Sequence, residues 1–125
     1  MYFVNIDERL PHKYPIRFIK EVKEGNETHA ESLIEFQEVP TLAGVVEAAA
    51  QNVVFIKSLY RKYDGGVLTG MKDVNLLEEL QAGEYHVKSS IAARIEQFCT
   101  IEFELLFQSR VVAEGQMNIV MKERK

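Results

Sequence analysis

Thr41-Leu42-Ala43-Gly44-Val45-Val46-Glu47-Ala48-Ala49-Ala50-Gln51-Asn52-Val53-Val54-Phe55-Ile56 is the stretch on which the fold turns. It follows Pro40 and opens on a threonine whose hydroxyl can cap a helix. Val45, Val46, Ala48, Ala49, Ala50, Val53, Val54, Phe55, Ile56, Leu59 and Tyr60 then cover nearly every direction around a helical axis, which predicts a helix surrounded by protein. Its span is expected from after Pro40 to about Tyr63, with Asp64-Gly65-Gly66 ending it. Lys57, Arg61 and Lys62 are expected to form a wet end, with a docking patch for an acidic partner as the functional alternative.

Outward from the helix the chain reads as strands. Leu10-Pro11-His12-Lys13-Tyr14-Pro15 sets two prolines around a histidine, a rigid elbow. A hairpin is expected next, from Ile16–Val22 through a turn at Glu24-Gly25-Asn26-Glu27 to Thr28–Phe36, with Ala30, Ser32, Ile34 and Phe36 sharing one face. After the helix, four strands are expected: Val67 to about Leu76, Glu84 to about Glu96, Phe98 to Gln108, and Arg110 to about Lys122. Alternation assigns them inward faces of Tyr85, Val87, Ser89, Ile91, Ala93 and Ile95; of Cys99, Ile101, Phe103, Leu105 and Phe107; and of Val111, Ala113, Gly115, Met117, Ile119 and Met121. One helix and a long antiparallel sheet with one packed face make an α+β fold, the sheet wrapped around the helix.

The 125 residues, 46% hydrophobic and 27% charged, form one globular domain over 1–125, with no repeat or linker to divide it. So short a chain leaves little room for a pocket of its own, which must be borrowed from the core or from a partner subunit. A net charge of −4 argues against a nucleic-acid surface. The single cysteine, Cys99, allows no internal disulfide, and the three histidines are too scattered for a zinc site, so neither metal nor cofactor is expected. Neither a signal peptide nor a membrane span is legible, and a cytoplasmic location is expected.

Glu47 is the residue that periodicity does not explain. A carboxylate among alanines and valines can be accommodated by the positive end of the helix dipole alone. Its burial would instead favour the protonated form and suit a general acid or base, with Gln51 one turn on orienting the carboxylate or a ligand. His29 and His86 fall on wet strand faces, whereas His12 is held by the elbow, either as a structural histidine or in a site. Cys99, among Ile101 and Phe103, reads as an inert buried thiol. No phosphate loop, dinucleotide fingerprint or nucleophile elbow occurs.

The Leu-Pro-His-Lys-Tyr-Pro segment with Ile16–Val22 behind it, and the Gly44–Gln51 stretch, resemble the 3-hydroxyacyl-[acyl carrier protein] dehydratases of the hot-dog fold, whose order of elements also agrees along nearly the whole chain. Standard members carry a Gly-His-Phe-Pro-Gly loop ahead of the glutamate; here no histidine stands from Ala30 to Gly44. In lacking it the sequence resembles a shorter branch, similar to the dehydratases of aryl polyene synthesis. The resemblance implies a hot-dog domain that eliminates water from 3-hydroxyacyl thioesters of an acyl carrier protein, in fatty-acid or polyene-type synthesis. It also implies sites shared between paired subunits, in a homodimer or a heterodimer with a related hot-dog subunit. His12 would then be the base, Glu47 would assist the leaving hydroxyl, and helix-start amides near Gly44 and Val45 would polarise the thioester carbonyl. The alternatives are a non-catalytic hot-dog subunit that binds acyl carrier protein, and an acyl thioesterase.

Overall fold

The structure is a computed structural model that describes residues 17–123; the elbow with His12 lies outside the described residues. Strands β1 (Ile19–Gly25) and β2 (His29–Phe36) form the expected hairpin. Its turn is organised by Asn26, whose Oδ1 accepts from the backbone N–H groups of Thr28 and His29, both at 2.9 Å. Helices α1 (Leu42–Val53) and α2 (Lys57–Tyr60) follow, then β3 (Tyr63–Leu76), β4 (Gly83–Ile95), β5 (Phe98–Phe107) and β6 (Arg110–Glu123). The sheet has six strands in the order β1-β2-β4-β5-β6-β3, with every neighbouring pair antiparallel. Helix α1 packs on its inner face, chiefly against β4 and β2.

The inner face follows the alternation that the sequence predicts over most of its extent. Ala30, Ser32, Ile34 and Phe36 of β2 are buried, as are Tyr85, Val87 and Ser89 of β4 and Cys99, Ile101, Phe103 and Leu105 of β5. Two bulges shift it elsewhere. A register slip between Ile91 and Ala93 reverses the end of β4, so Ile95, expected inside, is 76% exposed. A second, opposite Leu105 and Leu106, lets Val112 and Ala113 both turn inward, and Val112 takes the place assigned to Val111.

The helix is shorter than its apolar run suggests. α1 stops at Val53, and Ile56 is extended at φ −72° and ψ 120° before α2 begins. The cause is tertiary. The N–H of Lys57 donates to the Asn26 carbonyl at 2.7 Å and the Ser58 hydroxyl donates to the Glu27 carbonyl, so the β1–β2 turn captures the chain and redirects it. Phe55 and Ile56, fully buried, fill the core at this bend. Arg61 is ion-paired with Glu27 in the same turn, so part of the expected basic patch is internally neutralised. Asp64-Gly65-Gly66 does not end a helix but lies inside β3, which starts four residues earlier than the expected Val67.

Gly115 marks a tight approach of β3 to β6 and β5. A Cβ there would stand 2.8 Å from Val74 Cγ2 and 3.0 Å from both Val74 Cα and Phe103 Cζ. Backbone cannot yield as a side-chain tip can, so Gly115→Ala is expected to destabilise the protein by about 1–3 kcal/mol, read as a lowered urea midpoint with an unchanged slope.

Candidate active site

Thr41 caps α1 as expected: its side chain accepts from the N–H of Gly44 at 3.1 Å, and its carbonyl accepts from that of Val45 at 3.0 Å. The two amides to which the resemblance gives a carbonyl-polarising role are therefore engaged within the cap, and the Val45 side chain faces the core at 0% exposure. What the helix start offers a ligand is the positive end of a 12-residue dipole.

The described residues do not surround α1 on every side. Val45, Val46, Ala48, Ala49 and Val53 are each 1% exposed or less, but Ala43 is exposed and Gly44, Glu47 and Ala50 are only half-buried. These four recur at helical spacing as one open stripe. Glu47 sits at its centre. The described residues do not supply the apolar enclosure that its sequence context suggests.

Gln51 fixes the carboxylate from one turn away. Its Oε1 accepts from the backbone N–H of Phe18 at 2.9 Å and its Nε2 donates to Glu47 Oε1 at 3.4 Å. Since a backbone N–H can meet only the oxygen of that amide, the NH₂ is left facing the carboxylate, and the side chain, 2% exposed, has no room to exchange the two roles. Gln51 and Glu47, both expected in the site, thus stand side by side on α1.

A polar cluster that the sequence reading missed lies behind Gln51. Asn52 Oδ1 accepts from the Ser32 hydroxyl of β2 at 2.6 Å, while its Nδ2 donates to the Ala30 carbonyl at 2.8 Å and to Ser89 Oγ of β4 at 3.2 Å. Ser89 in turn donates to the Ala49 carbonyl of α1 at 3.0 Å. The signal was present in the sequence as an asparagine within an apolar helix and a serine on the inner face of each of two strands.

Two clefts meet at Glu47 and Leu68. One, of about 350 Å³, runs beside the second half of α1 along Ala50, Val53, Val54, Gly66 and Val67 to Lys122. A Cβ on Gly66 would come within 2.7 Å of Ile119 Cγ2, so the absence of a side chain there lets β3 lie close against β6 at the cleft wall. The other opens at the start of α1 between Phe18, Ala43, Gly44, Val46, Leu68 and Met71 and is apolar apart from Glu47. Both are bordered by β3, an edge strand of 14 residues that leaves Val67 48% and Met71 54% exposed.

The remaining candidates fall outside this region. His29 and His86 lie on the outer side of the sheet, 3.2 Å from Glu24 and 3.1 Å from Glu31 respectively. Cys99 is buried, and burial raises its thiol above the ordinary cysteine range despite the opposing effect of Arg94. Among the described residues no group of three or more His, Cys, Asp or Glu side chains could hold a metal ion, and no helix is long and apolar enough to cross a membrane.

No family model and no curated protein matches the sequence. Solved structures do. A dehydratase heterocomplex from Xenorhabdus doucetiae is similar over 98% of this chain and 93% of the other, with 17% identity and a TM-score of 0.78. The fold is the hot-dog fold. Two further structures share it: a hypothetical thioesterase protein with coenzyme A from Streptococcus pneumoniae, at 10% identity over 84% and 87% of the two chains and a TM-score of 0.66, and a Streptococcus mutans protein bound to acetyl coenzyme A, at 13% identity over 91% and 99% and a TM-score of 0.69.

Two outcomes follow from the hot-dog chain's local chemistry. Gln51→Leu removes the acceptor of the Phe18 N–H and is expected to cost about 1–3 kcal/mol in denaturant unfolding. Because the thiolate is disfavoured by burial, iodoacetamide is expected to alkylate Cys99 far more slowly in the native protein than in urea at pH 8; equal rates would show an accessible nucleophile.

Proposed function

We propose that this chain dehydrates 3-hydroxyacyl thioesters carried by an acyl carrier protein, as a dimer whose subunits share their sites. The observation that carries this reading is the carboxylate of Glu47, oriented by Gln51, at the junction of two largely apolar clefts that the described residues leave open. Apolar walls suit an acyl chain, and the start of α1 presents positive potential where charge would develop on a thioester oxygen. In the reaction His12 takes the proton from C2 and the C2–H electron pair becomes the new C2–C3 double bond; the C3–O bond breaks with its pair leaving on the oxygen, which Glu47 protonates so that it departs as water.

The two sheet edges support the dimer. β1 has seven residues, two register irregularities, and Lys20, Glu21, Lys23 and Glu24 along it, features that discourage pairing with another strand. β3 is twice as long and presents glycines with exposed Val67 and Met71. A second hot-dog subunit, this chain or a related one, would pair there and cover the open stripe of α1. Similarity to a chain of a heterocomplex keeps the hetero-dimeric form within the proposal.

Glu47→Gln is expected to lower turnover of a 3-hydroxyacyl thioester by about 10²–10⁴-fold without loss of folding, and His12→Ala to do so independently. Ultraviolet absorbance of the enoyl thioester follows the reaction. The likeness to a hypothetical thioesterase protein makes thioester hydrolysis the second reading, and release of thiol from substrates that lack a 3-hydroxyl would select it instead.

A further inference from the structure

We propose that Asn52, with Ser32 and Ser89, is a positioning device that sets the rotation and axial register of α1 on the sheet and thereby places Glu47. Its catalytic consequence rests on the dehydratase reading; its structural one does not.

Helices that pack on a sheet are usually located by ridges of large side chains. The face of α1 turned to β2 and β4 is built largely from alanine and valine, with Val45, Ala48 and Ala49 all at 0% exposure. So shallow a surface defines rotation weakly. Asn52 supplies what it lacks: one side chain reaches Ser32 and Ala30 on β2 and Val87 and Ser89 on β4. Ser89 closes the loop on the helix backbone through the Ala49 carbonyl, 3.0 Å away. Ser32, Asn52 and Ser89 are all 0% exposed, so water cannot replace any partner and the arrangement is satisfied in one geometry only.

The same rotation governs the cleft. Asn52 is the residue next to Gln51, so the helix is tied on one side to the sheet and on the adjacent side to the Phe18 backbone, 2.9 Å from Gln51 Oε1. Glu47 lies one turn before Gln51. Its carboxyl stands roughly 6 Å from the helix axis, so a turn of about 20°, ordinary scatter for packed helices, would carry it about 2 Å. A displacement of about 1 Å in a reacting group can cost about 10²-fold in rate. An apolar residue of the same branching would fill the volume of Asn52 without defining that angle.

The test is a triple variant, Ser32→Ala, Asn52→Leu and Ser89→Ala, which removes the three polar side chains together. Replacing a complete buried polar cluster by apolar groups is often neutral for stability, so the variant is expected to fold. Its kcat with a 3-hydroxyacyl thioester is expected to fall by about 10- to 100-fold with KM little changed, and its crystal structure to show α1 rotated and the Gln51–Phe18 bond broken. A merely structural cluster would lower the thermal midpoint and leave kcat intact. If the triple variant fails to fold, Ser32→Ala with Ser89→Ala, which keeps Asn52, carries the same expectation at smaller magnitude. Unaltered turnover with α1 in place, in whichever variant folds, overturns the proposal. An inactive parent protein would remove the dehydratase reading alone, and the helix position in the variant would still decide this one.

Discussion

The hydrogen bonds that Asn52 accepts from Ser32 and donates to Ser89 hold a smooth helix at one angle on a broad sheet, and the geometry of the Glu47 cleft depends on that angle. Apolar burial alone would keep α1 against β2 and β4, since alanine and valine lose little by sliding. Directional bonds are what choose among the sliding positions. The tie through Gln51 to Phe18 works at right angles to this and connects the helix to the chain immediately following the Leu-Pro-His elbow.

The second constraint is incompleteness. A helix in a small domain can be covered by its own sheet on one side only, and the described residues leave the stripe from Ala43 through Glu47 to Ala50 exposed or half-buried. Beside it runs β3, the less defended of the two sheet edges. Pairing through β3 would satisfy edge backbone groups, bury Val67 and Met71, and roof the clefts at once. That convergence is the physical reason for proposing a shared site: the features that would be liabilities in a monomer lie next to one another and next to the carboxylate.

Much of this was legible in the sequence, and what was not has identifiable causes. The inward faces of β2 and β5 followed simple alternation because no bulge interrupts them, whereas Ile95 and Val112 were misplaced by register slips that leave no mark in hydropathy. The length of α1 was overread because Val54, Phe55 and Ile56 continue an apolar run; the chain bends there through bonds to Asn26 and Glu27, partners about thirty residues away that periodicity cannot reveal. Gly65 and Gly66, read as a stop signal, are glycines of a strand. Glu47 and Gln51 stood out as polar residues on an apolar helix, and the structure brings them together. Asn52 is as polar as Gln51, but its partners on β2 and β4 come from distant parts of the chain and acquire meaning only once those strands are adjacent.

In the proposed dimer each site is assembled from two chains, with His12 of one facing Glu47 of the other. Mixing inactive Glu47→Gln and His12→Ala proteins, after brief unfolding and joint refolding, tests it most directly. Half of the dimers formed at random are mixed and each holds one intact site, so about a quarter of the parental activity is expected to return. A mixture that stays inactive, although parental protein refolded in the same way is active, would contradict it.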